Sequence, residues 1–163
     1  TVADYANTGN LDTLLAIMNR NVQNMDRRTA CSLLDLRCYL ECPAMVQLAS
    51  HHTDEDIRTL RTLRHRAELA SKGQTEESLA QALYLYHRTL MKLSGNTITP
   101  LITNALVSAV LPFWSEYEQM NGVDTALQRL DHFTDLIEQG QGKQAAQLLR
   151  DGVKRYKEER GYC

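Results

Sequence analysis

The sequence predicts an all-α protein, and three observations carry that prediction. Apolar residues recur three and four positions apart in each long segment, the spacing of one helical face, and Leu79, Leu83, Tyr86, His87, Leu90 and Met91 form the clearest run. Gly (8), Pro (3) and aromatic residues (6%) are sparse, and no stretch alternates apolar with polar side chains as a half-buried strand would. Short turns marked by Gly or Asn separate the periodic segments. At 163 residues and 43% hydrophobic content, the chain suffices for one domain with a sizeable core.

Taken in order, residues Thr1 to Gly9 show no periodicity and read as a linker arriving from a preceding domain. Asn10 is placed to cap a first helix whose stripe is Leu11, Leu14, Leu15, Met18 and Val22. A second helix runs from Asp26 to about Ser50. Pro43 inside it removes one backbone hydrogen bond, which predicts a bend near Tyr39 to Cys42. Arg37 and Glu41 sit one turn apart on this helix, a spacing that suits an ordinary surface pair as well as a functional one. Thr53 caps a third helix, and Asp54, Glu55 and Asp56 complement the positive end of its dipole. Its narrow stripe of Ile57, Leu60, Leu63, Ala67 and Ala70 predicts a peripheral position.

The fourth helix begins after Thr75, spans Leu79 to Asn96 and is apolar over most of its circumference, which marks it as central. Ser94-Gly95-Asn96 stops it. A fifth helix covers Thr97 to Met120, with Pro100 harmless in its first turn and Pro112 bending it, and Asn121-Gly122 ends it. The sixth spans Asp124 to Gln139 and the seventh Lys143 to Glu158, followed by a tail over 159–163. Six to seven helices joined by short turns predict an antiparallel bundle.

Net charge is -2 and pI about 6.2, which excludes a nucleic-acid surface as the main feature of the chain. The local basic group Arg58, Arg61, Arg64, His65 and Arg66 reads as a solvated face balanced by Asp54, Glu55 and Glu68. No apolar run approaches the ~18 residues of a membrane span, and no basic-then-apolar leader is present, so a soluble protein without a membrane partner is expected. Cys31, Cys38 and Cys42 share one helical face and Cys163 is terminal; reduced thiols and a cytoplasmic location follow as the expectation. No nucleophile-elbow, zinc-protease, phosphate-loop, dinucleotide or calcium-loop pattern occurs, which argues against an enzyme. His87 lies on the apolar face of the fourth helix, where a satisfied core histidine and a metal ligand are both open readings, and Leu83 one turn earlier cannot coordinate a metal.

Three stretches carry a resemblance. Leu34-Asp35-Leu36-Arg37-x-x-Leu40-Glu41 with Ala49 looks like an L-x-x-R-x-x-L-E segment, Thr53-Asp54-Glu55-Asp56-Ile57 opens the next helix, and Tyr86-His87-x-x-Leu90-x-x-x-Ser94-Gly95-Asn96 looks like F-H-x-x-L-x-x-x-S-G-N. Over about Gly9 to Tyr156 the chain resembles the ligand-binding C-terminal (FCD) domain of the FadR subfamily of GntR bacterial transcription regulators, and Gly140 with Ala145, Ala146 and Leu149 looks like that family's terminal helix pair.

The resemblance implies a bundle enclosing a central ligand pocket at 10–158, an absent winged-helix DNA-binding domain ahead of it, a small-molecule effector, a homodimer, and DNA contact only through the missing domain. Many family members hold a divalent metal with an aspartate, the histidine and two further histidines. By position these places fall at Leu83, His87, Leu130 and Gly152, so three of four ligands are absent and no metal or other cofactor is implied, although His132 stands two residues from Leu130. Arg37 matches the arginine that family domains direct at a carboxylate, and Asn96 matches a conserved asparagine of the pattern. The implied ligand site is therefore Arg37, Leu83, His87, Asn96, Leu130 and Gly152, with an apolar lining that suits a fatty acyl-CoA or similar lipid-like carboxylate. A small organic acid bound with or without a metal is the alternative ligand. A helical enzyme using His87 as base, or a structural adaptor with a collapsed interior around His87, is the alternative of another class.

Overall fold

The computed structural model describes residues 10, 12–14, 16 and 25–162. Among these described residues there are no strands, and the chain forms α1 (Arg27–His51), α2 (Asp54–Ser71), α3 (Leu79–Leu93), α4 (Thr99–Ala105), α5 (Val107–Asn121), α6 (Val123–Glu138) and α7 (Gly142–Arg160). The all-α bundle expected from the apolar spacing is the observed fold.

Side-chain caps set the helix starts. Asp26 accepts from the backbone N–H of Thr29 at 3.0 Å and opens α1. Thr53 with Asp56 and Ser78 with Gln81 form reciprocal capping boxes at α2 and α3. Helix α3 starts at Leu79, as the apolar run predicts, because Ser78 before it has a glutamine three residues on to close the box, and it ends at Leu93, before the expected Asn96. For the first predicted helix, residues 12–14 and 16 are helical and Asn10 Oδ1 accepts from the N–H of Thr13 at 3.0 Å. Leu14 is exposed, and Leu11, Leu15, Met18 and Val22 lie outside the described residues.

Helix α3 is central, burying Leu79, Leu83, Tyr86, His87, Leu90 and Met91 against α1, α2 and α5. The Tyr86 hydroxyl is satisfied inside this core by Thr134 Oγ1 at 2.8 Å and the Leu130 carbonyl at 3.2 Å. Helices α1 and α7 run antiparallel: Lys157 pairs with Asp35 at 2.7 Å, the Cys42 thiol donates to the Ala146 carbonyl, and Gly142 lies against Met45, Val46 and Ala49. Cys38 and Cys42 are free thiols, whereas Cys31 is disulfide-bonded, so the stripe of three reduced thiols is corrected to two. The basic residues of α2 form specific pairs. Arg61 bonds Asp135 and Glu138, and Arg64 bonds Asp131 and Glu68, tying α2 to α6.

The single helix expected over Thr97 to Met120 breaks at Leu106 into α4 and α5. Thr103 Oγ1 bonds back to the carbonyls of Thr99 and Pro100, a competition with the backbone ladder that bends helices, and Leu106 is buried with Leu33 and Ala109 in a small second cluster. Pro43 and Pro112 both lie inside helices without ending them. At the C-terminal end, α7 continues to Arg160 and the Tyr162 ring packs edge-on against Phe113 and Tyr156, so 159–162 belong to the fold rather than to a loose tail.

A Cβ on Gly142 would stand 2.6 Å from the Cα of Val46 and 2.8 Å from the Met45 carbonyl oxygen, both backbone atoms that cannot rotate away. Gly142→Ala should therefore destabilise the bundle by roughly 1–3 kcal/mol through overpacking. Chemical denaturation checks it, with an unchanged midpoint as the outcome that contradicts the close approach of α1 and α7.

Candidate functional site

The inner face of α1 carries Arg37 and Glu41 toward α3, and the i, i+4 spacing read from sequence is here a pair of a half-buried arginine and a buried carboxylate. Glu41 and His87 are 4% and 3% exposed. His87 Nδ1 lies 2.7 Å from Glu41 Oε2, Arg37 Nε donates to Glu41 Oε1 at 2.8 Å, and Arg37 Nη2 reaches 3.5 Å from both Glu41 Oε2 and His87 Nε2. The arrangement assigns the tautomer: neutral His87 donates from Nδ1 to the carboxylate, and its Nε2 lone pair faces the guanidinium.

Burial on its own would raise the Glu41 carboxyl. The charge of Arg37 and the hydrogen bonds from His87 and Arg37 outweigh it and hold the group down to about 2. Burial pushes His87 below the ordinary imidazole value; Glu41 opposes that shift, while Arg37 and Arg129 add to it. The pair is thus an anionic carboxylate and a neutral imidazole.

Trp114 of α5 closes the cluster. Its ring stacks on His87 at 4.6 Å between centroids and 29° between planes, and the Arg37 Cζ sits 4.0 Å from the ring centroid. Trp114, Arg37, His87, Leu34 and Phe113 together separate two small cavities. The first, about 30 Å³, is also lined by Leu83, Tyr117, Arg129, Leu130 and Gly152. The second, about 60 Å³, adds Glu41, Tyr84, Arg88, Met91 and Thr103. Spaces of this size hold a few waters and no more.

The structure brings five sequence-derived site residues together: Arg37, Leu83, His87, Leu130 and Gly152 all line the first cavity. Asn96 stands apart. It is exposed and its Oδ1 accepts from the N–H groups of Ile98 and Thr99, which makes it a local cap ahead of α4 that lines neither cavity. His132 is exposed on α6 while His87 is buried, so the two do not share a site. Among the described residues no three His, Cys, Asp or Glu side chains gather as a metal set would require.

Sequence reasoning missed Trp114, Arg129 and Arg88 as site residues and left Glu41 as an undecided pair. Only Glu41 carried a signal, its place in the L-x-x-R-x-x-L-E stretch. Gly152 has its own geometry. A Cβ there would fall 1.8 Å from Arg129 Nη1, so this position is a notch in α7 that the guanidinium of α6 occupies.

The family model of the FCD domain matches residues 32–155, a span from the first turns of α1 to the last turns of α7 that contains every residue of the buried cluster. The chain belongs to the FCD domain family. FCD domains are the effector-binding regulatory domains of GntR-family regulators. No curated protein and no solved structure matches the chain. In this FCD domain His87, Leu83 and Leu130 are all buried in the wall of the first cavity. No described helix is long and apolar enough to cross a membrane.

Both buried groups have pKa values lowered by folding, so the unfolded chain binds more protons and stability falls on acidification. The His87 contribution is present above about 6.5 and is lost as pH drops below it; the Glu41 contribution is lost below about 4.5, toward 2. The second loss is on the order of 3 kcal/mol. Thermal melts across pH check both stages: His87→Gln should remove the first, and Glu41→Ala, which strands Arg37, should cost about 3–5 kcal/mol at neutral pH. A melting profile for Glu41→Ala that superimposes on the parent contradicts the buried anion.

Proposed function

We propose that this FCD domain is the effector-sensing module of a FadR-type transcription regulator and that its effector is a compact organic carboxylate bound beside His87 without a metal. One observation carries the reading. The Arg37–Glu41–His87 cluster faces two adjoining cavities, and Trp114, stacked on His87, stands with Phe113 and Leu34 between them. Arginines in both cavities, Arg37 in each, Arg129 in the first and Arg88 in the second, set in largely apolar walls, suit a carboxylate with a short carbon skeleton. The ligand-site residues are Arg37, Leu83, His87, Leu130 and Gly152. Cavities of about 30 and 60 Å³ weigh against the long chain of a fatty acyl-CoA and in favour of the small acid.

Binding requires Trp114 to leave its stack on His87, which merges the two spaces. An effector shifts the bundle between the stacked and displaced arrangements only by as much as it prefers one of them. In the regulator that motion of α5 would reposition winged-helix DNA readers ahead of the FCD domain, within a cytoplasmic homodimer.

The filled interior favours one other reading, a structural helical adaptor in which the buried cluster serves only to fix packing. The two part on a direct measurement. Trp114 is the sole tryptophan, so its fluorescence reports on this stack without a label. Titration with short-chain carboxylates should change that emission saturably, while an acyl-CoA and added zinc or nickel leave it unaltered. Silence toward every carboxylate supports the adaptor. A response to acyl-CoA alone restores the lipid effector. Trp114→Leu should bind the responding carboxylate more tightly, since no ring has to be displaced, and lose roughly 2–4 kcal/mol of stability.

A further inference from the structure

The charges around the two cavities do not cancel. Among the described residues Glu41 is the sole carboxylate lining either one, and it is already shared by Arg37 and His87. Arg129 lines the first cavity and Arg88 the second, and among the described residues neither has a carboxylate within ion-pair distance. Arg129 approaches the Tyr117 ring, 5.7 Å from the centroid, and fills the Gly152 notch.

Two orphaned polar atoms stand beside these guanidiniums. The Arg88 Nε is buried with no hydrogen-bond acceptor, and the Tyr117 hydroxyl, in the wall of the Arg129 cavity, is buried with no partner. Leaving such groups unpaired is unfavourable, most of all where the group is charged. The third buried orphan, Glu118 Oε2, lines neither cavity. With Arg37 neutralised by Glu41 and His87 uncharged, the site presents two uncompensated positive charges, one in each cavity.

We propose that the effector is a dianion, one acidic group taken by Arg129 with the Tyr117 hydroxyl and the other by Arg88, its short skeleton crossing the position that Trp114 vacates. This rests on the small-carboxylate reading above and adds the number and placement of its charges. The arginine seated in the Gly152 notch supplies the positive charge of the first cavity.

The test compares succinate, glutarate and adipate with butyrate, valerate and hexanoate, by Trp114 emission and calorimetry on the parent chain. The best dicarboxylate should bind at least tenfold more tightly than its matched monocarboxylate. Arg129→Gln and Arg88→Gln should each lower dicarboxylate affinity roughly ten- to hundredfold and leave the monocarboxylate less affected. Gly152→Ala keeps the charge but pushes Arg129 from its notch, and should reproduce Arg129→Gln in kind. Equal affinity for the two acid series in the parent, a comparison that needs no variant to fold, overturns the dianion while the small-carboxylate sensor stands. A dicarboxylate preference that survives both arginine changes also overturns this placement. No response to either series overturns this inference together with the reading beneath it.

Discussion

A carboxylate that must stay ionised at 4% exposure governs the interior of this bundle. Removing a carboxylate from water is unfavourable by several kcal/mol unless opposite charge and donors surround it. Glu41 meets that requirement with groups from two helices, Arg37 from its own and His87 from α3, which fixes the rotation of α1 against the central helix. The imidazole so placed is the surface on which Trp114 stacks, and through Trp114 the helix α5 is located. The order of dependence therefore runs from one buried charge, to the register of two helices, to the seat of a third.

Helix positions were legible because they rest on local chemistry. Apolar spacing, the Asp26, Thr53 and Ser78 caps and the glycine stops specify the elements whatever packs on them. The break at Leu106 was not legible, since a long apolar run with prolines near its start and middle reads as one bent helix; the interruption comes from Thr103 bonding backward and from Leu106 turning into a cluster with Leu33. Family membership was legible through a few stretches, and those stretches hold Arg37, Glu41 and His87.

The site itself was only half legible. Leu83, His87, Leu130 and Gly152 meet because helical register and family position agree, but an Arg and a Glu four residues apart look alike on a wet or a buried face. Which face α1 turns inward is a tertiary fact. Asn96 failed as a pocket residue for the opposite reason, a strong local role as a cap that needs no ligand. Arg88 and Arg129 carried no signal, because a lone arginine on a helix is ordinary until the neighbouring helix presents a cavity or a glycine beside it.

The antiparallel contact of α1 with α7 has a mechanical consequence. Lys157 pairs with Asp35 near one end and Gly142 meets Val46 near the other, so the start of α1 and the end of α7 lie at the same edge of the bundle. A pulling force applied at Arg27 and Arg160 would load these contacts one after another from the Lys157–Asp35 end, opening the pair like a zip instead of shearing all of its contacts at once. In that direction the domain yields at low tension, and the first bond to part lies on the same helix as Arg37 and Glu41.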